Sequence, residues 1–168
     1  RGRTKNPDMI CDFVATQWFL WDSVASVEQA TSGLSVGQSW PSQLSIPAPM
    51  VMRQARDVTY KLKEVRESEK GTLAVIQSTY SHAATVPTGW PVPYIGAFQM
   101  QGQFGFYRNY KILDLSGHGE ELFNIDKGRT QQYSQEYRME LSASLPFNLG
   151  GVKPRITIEQ KLTTYLLD

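Results

Sequence analysis

The sequence predicts an α+β fold: one N-terminal amphipathic helix packed on a strongly curved antiparallel meander sheet, half-barrel-like, of about six or seven strands. Three observations lead there. Apolar residues between positions 10 and 25 recur at helical spacing. From residue 57 onward the period changes to two, in runs separated by glycine-bearing turns. The chain has 168 residues, 40% of them hydrophobic, which suffices for one core and not for two. The expected layout is an N-terminal helix over 1–33, a proline-rich connector over 34–56 and an antiparallel β body over 57–168, with helix and body forming a single domain.

The helix opens at Asn6-Pro7-Asp8, where Asn6 can cap, Pro7 suits the first helical position and Asp8 sets a carboxylate at the positive helix end. Ile10, Phe13, Val14, Trp18, Trp21, Val24 and Ala25 form its apolar stripe, opposed by Asp12, Thr16, Ser23 and Ser26. Thr31-Ser32-Gly33 ends it, with Gly33 in the left-handed C-terminal position. Leu34 to Pro49 holds three prolines. Each lacks a backbone donor, so this stretch is an edge or a connector and not a central strand.

Val58, Tyr60 and Leu62 then alternate with Thr59, Lys61 and Lys63. A polar turn over Glu67–Gly71 leads into Leu73–Tyr80, an antiparallel hairpin. After the irregular stretch Pro87–Gly96, Phe98, Met100, Phe104 and Phe106 share one parity. Tyr110–Leu115 and Glu120–Ile125 flank Ser116-Gly117-His118-Gly119, which reads as a turn. Asp126-Lys127-Gly128 closes a tight hairpin, with Gly128 at a positive-φ position. Thr130–Leu145 shows the cleanest alternation, and Arg155–Leu167 is the last strand. The basic residues Arg53, Arg56, Lys61, Lys63 and Arg66 alternate with acids and read as a solvated strand face.

Composition removes several function classes. Seventeen Lys and Arg against sixteen Asp and Glu leave a formal charge of +1, without the basic excess that neutralises phosphates, so no nucleic-acid partner is expected. A single cysteine, Cys11, excludes an internal disulfide framework and a multi-cysteine zinc site. The most apolar run, Phe13 to Trp21, is bracketed by Asp12 and Asp22 and falls short of the roughly 20 residues a spanning helix needs. No transmembrane segment is expected. Because the chain starts at Arg1, it reads either as a chain whose start was removed or as a segment of a longer protein.

Two motifs carry a family resemblance. Val36-Gly37-Gln38-Ser39-Trp40, followed by a Tyr-Lys-Leu strand, resembles the opening of an uncharacterised domain family of bacterial, planctomycete-type, envelope and secreted proteins. The later order Gly117-x-Gly119, Phe123-Asn124-Ile125-Asp126, Gly128-Arg129 and the long alternating strand after them resembles the same family. The overall plan is similar to the curved-sheet lipoprotein carriers of the LolA and LppX kind. The resemblance implies a periplasmic or extracellular setting; composition and spacing leave the compartment open. It supplies no catalytic residue.

No catalytic, cofactor-binding or metal-binding residue is assigned. His82 and His118 are the only histidines and lack short-spaced ligand partners. No serine stands in a nucleophile elbow, and the carboxylate pairs Asp12/Asp22 and Glu120/Glu121 read as water-facing. What remains is the aromatic inventory. The expected function is a non-enzymatic binding or scaffolding domain of a larger bacterial envelope or secreted protein. Its partners would be other domains of the parent chain or an envelope protein. Contacts are assigned to Trp40, Trp90, Tyr94, Phe98, Met100, Phe104 and Tyr137. The alternatives are a carrier of a lipid or other apolar ligand held between helix and sheet, and a hydrolase without a recognisable motif.

Overall fold

The computed structural model describes residues 33–45, 55–85, 107–145 and 151–166. They form six strands: β1 (Ser39–Ser45), β2 (Ala55–Ser68), β3 (Gly71–His82), β4 (Arg108–Asn124), β5 (Arg129–Ser144) and β6 (Arg155–Tyr165). All belong to one open antiparallel sheet in which spatial order equals chain order. This corrects the fold class. Among the described residues no α-helix occurs and the architecture is all-β. The α+β expectation rested on the pattern before Gly33, which lies outside the described residues, whereas every described period-two run became a strand. The strand-like stretch Phe98–Phe106 expected from its parity also falls outside them.

Alternation decides which side chains face inward. Along β5, Tyr133, Gln135, Tyr137, Met139, Leu141 and Ala143 are buried, and the residues between them are half-buried or exposed. Register carries this parity across the sheet. Val58 stands opposite Tyr80, Tyr80 opposite Gly117, Gly117 opposite Tyr137, and Tyr137 opposite Gln160. The inner face so defined holds the core cluster of Val58, Tyr60, Leu62, Ile76, Leu115, Met139 and Leu141, with Trp40, Ile156 and Ile158 packed against it. Met139 and Leu141 are completely buried; burying such a side chain stabilises the fold by about 1.5–3 kcal/mol. The outer face carries Thr59, Thr79, His118, Glu136 and Lys161 in one row, all exposed. This row is solvated and carries weak ion pairs such as Lys161–Glu136 at 3.3 Å, whereas Leu73 and Val75, of the same parity on β3, are buried.

β1 lies inside the stretch read as a connector and is an edge of the sheet, with Pro41 paired to Thr59. A proline is tolerated there because an edge strand has one side on which its donors are not needed.

The VGQSW motif and the Phe123–Arg129 part of the second motif build turns. Ser35 to Gln38 closes a turn through the Gln38 amide on the Ser35 carbonyl (3.0 Å), with Gly37 at φ +92°; only glycine adopts that third turn position without strain. Asn124 and Asp126 tie two hairpin tips together. The Asn124 amide donates to the Lys70 carbonyl (2.8 Å), its oxygen accepts from the Lys127 N–H (2.9 Å), and an Asp126 carboxylate oxygen accepts from the Thr72 N–H (2.8 Å). Gly128, at φ +61°, completes the β4–β5 turn as its sequence position predicts.

Candidate functional site

The centre of the inner face is built around a strip without side chains. Gly117 and Gly119 lie inside β4, not in a turn, and both belong to the inward parity. This corrects the reading of Ser116–Gly119. The glycines are there because neighbouring strands lay large side chains across β4. A Cβ on Gly119 would sit 2.6 Å from both the Ser78 Oγ and the Tyr80 hydroxyl, and one on Gly117 would sit 2.6 Å from the Glu136 carbonyl and 2.7 Å from the Tyr137 Cβ. His118, between them, points to the outer face, opposite Thr79 and Glu136.

Over this strip runs a buried hydrogen-bonded chain. The Ser78 Oγ donates to the Tyr80 hydroxyl (2.8 Å), the Tyr80 and Tyr133 hydroxyls bond to each other (2.9 Å), and the Tyr133 hydroxyl donates to the Gln135 Oε1 (3.1 Å). The chain starts on β3, passes over β4 and ends on β5. Ser78, Tyr80, Tyr133 and Gln135 are each less than 5% exposed. In low-dielectric surroundings such satisfied chains are stiff and specify one arrangement. The Gln135 Nε2 has no hydrogen-bond partner among the described residues.

Charged groups flank the chain. The Arg56 guanidinium lies 4.6 Å above the Tyr80 ring, a cation–π contact, and Arg56 is 1% exposed. The solvated-face reading of Arg56 is therefore wrong: its position on β2 has the parity of Val58 and Tyr60. Glu121, also expected to face water, is buried on the inner face and accepts a hydrogen bond from the Thr130 hydroxyl. The Tyr137 hydroxyl donates to the Gln160 Oε1. Burial pushes the Tyr137 phenol up to about 12, opposed by the nearby positive charge of Arg56.

Of the seven residues assigned as contacts, Trp40 and Tyr137 are described, and they share the inner face. Trp40 is half-buried and stacks on its register partner Tyr60 with ring centroids 5.6 Å apart. Trp90, Tyr94, Phe98, Met100 and Phe104 lie outside the described residues. Ser78, Tyr80, Tyr133, Gln135, Arg56 and Glu121 were missed. A legible signal existed for some of them: tyrosines on the apolar parity of two strands, and two glycines spaced by two.

Chemically, the arrangement presents phenolic hydroxyls and a carboxamide inside an apolar surround. Ser78 has a phenol beside it, which is no general base at ordinary pH. The two histidines stand on opposite faces, His82 with the parity of Tyr80 and His118 with that of Thr79. Among the described residues no cluster of His, Cys, Asp and Glu could hold a metal, and no helix is long and apolar enough to cross a membrane. No protein-family model matches the chain, and neither does any curated protein or solved structure.

Proposed function

We propose that this chain is a non-enzymatic binding domain of a larger bacterial envelope or secreted protein, and that the inner face around Gly117 and Gly119 recognises an apolar ligand. The observation that carries this reading is the polar chain Ser78–Tyr80–Tyr133–Gln135, set into an otherwise apolar face. Sites for apolar ligands combine such a surround with a few placed polar groups that orient the guest. The interior of a purely structural sheet gains little from four polar side chains where Leu or Phe would pack without desolvation cost.

The test is native mass spectrometry of the full chain purified without detergent, followed by titration with an apolar fluorescent dye. A co-purifying apolar mass, or saturable dye uptake competed by lipid extract, supports the reading. Bare protein that takes up no dye overturns it.

A scaffolding role is the second reading. One end of the sheet exposes Val65, Ile125, Tyr165 and Leu166 beside the hairpin tips, and exposed apolar groups gathered in one region mark contact surfaces. Replacing Tyr165 and Leu166 with Ser should then abolish capture by neighbouring domains of the parent chain while leaving dye uptake unchanged.

A further inference from the structure

We infer that the Gln135 carboxamide is the polar anchor of the inner-face site and that the group it takes is an uncharged carbonyl on an apolar molecule, as in a fatty acyl ester or amide. This rests on the binding reading above. Gln135 is 2% exposed, its oxygen is taken by Tyr133, and its Nε2 stays unspent among the described residues. A buried donor left unmade is costly and rare in folded proteins, and a bound acceptor that completes it removes that cost.

The position suits an anchor. On one side Gln135 stands opposite Gly119, which has no side chain; on the other it stands opposite the half-buried Leu162 of the last strand. Tyr133 and Tyr137 flank it on its own strand and present ring surface. An amide N–H needs an acceptor, which excludes a bare hydrocarbon as the preferred guest. Charge then separates the acceptors. The buried carboxyl and guanidinium of this face are Glu121, the register partner of Tyr133, and Arg56, over the Tyr80 ring. A guest carboxylate would lose its hydration in this buried setting, whereas an ester or amide carbonyl accepts the same hydrogen bond without that penalty.

The experiment is calorimetric titration of the full chain with methyl laurate, laurate and dodecane, each delivered from cyclodextrin, together with the Gln135 side-chain amide resonance. The ester should bind about tenfold more tightly than the acid or the alkane, and its addition should shift the Gln135 amide signal. Gln135→Leu should remove that advantage and leave dodecane binding unchanged, with folding checked by thermal melting. If the variant does not fold, the amide shift in the native chain decides. Equal binding of ester and alkane, or an amide signal that never moves, overturns the anchor while leaving the binding domain standing. Absence of uptake for all three probes overturns both.

Discussion

The hydroxyls of Tyr80 and Tyr133 meet at 2.9 Å above β4, although the two residues belong to strands that do not pair with each other. They meet because Gly119, between them, has no side chain. Two strands separated by a third are thus joined side chain to side chain. Tyr80→Phe and Tyr133→Phe should each destabilise by about 1 kcal/mol, and the double variant should cost less than their sum. A double-mutant cycle in urea checks the coupling; strict additivity would mean the hydroxyls act separately.

Gly119→Ala and Gly117→Ala should destabilise by about 1–3 kcal/mol each, since the added methyl group meets backbone carbonyls at 2.9 Å and 2.6 Å respectively. Strand propensity alone favours Ala over Gly, so the sign is diagnostic. Gain of stability in thermal melts would show that the strands separate easily.

Tyr137 links stability to alkaline pH. Its folded pKa of about 12 lies above the ordinary phenol value of 10.0 because burial disfavours the phenolate. Its contribution is therefore complete below pH 10 and is lost as pH rises towards 12, by roughly 2–3 kcal/mol. Denaturant melts across that range should show the decline, and Tyr137→Phe should flatten it.

Asn124→Ala should cost about 2 kcal/mol, because a completely buried carboxamide that joins the Lys70 carbonyl to the Lys127 amide is removed. Hydrogen exchange should accelerate at both hairpin tips. Faster exchange at the β4–β5 tip alone would contradict the joint.

The strands were legible where one parity is apolar without interruption. Thr130–Leu145 and Arg155–Leu167 reappear as β5 and β6 within two residues at each end, because strict alternation fits only a strand with one face covered. Ser116–Gly119 was not legible as strand: its composition is that of a turn, and only the tyrosines of β3 and β5 explain the glycines. The same locality hid Arg56 and Glu121, whose neighbours along the chain look solvated while their neighbours across the sheet bury them. The helical expectation came from a segment outside the described residues and says nothing about the sheet that is described. The VGQSW and FNIDKGR motifs carry the family resemblance; their local work is to shape the Ser35–Gln38 turn and fasten the hairpin tips.

The meander order has a kinetic side. The β4–β5 hairpin closes over residues 125–128 and the β2–β3 hairpin over residues 69–70, whereas joining β3 to β4 must close the span 83–107. Chain-closure entropy makes that last union dearer than the β4–β5 hairpin by roughly 1.5 kcal/mol. The two hairpins are thus poised to zip first and to meet later along the seam from Leu73 to Ser81. Tyr80 arrives on one hairpin and Tyr133 on the other, so their handshake belongs to the final act of assembly. Weakening it should speed unfolding and leave the refolding rate nearly untouched.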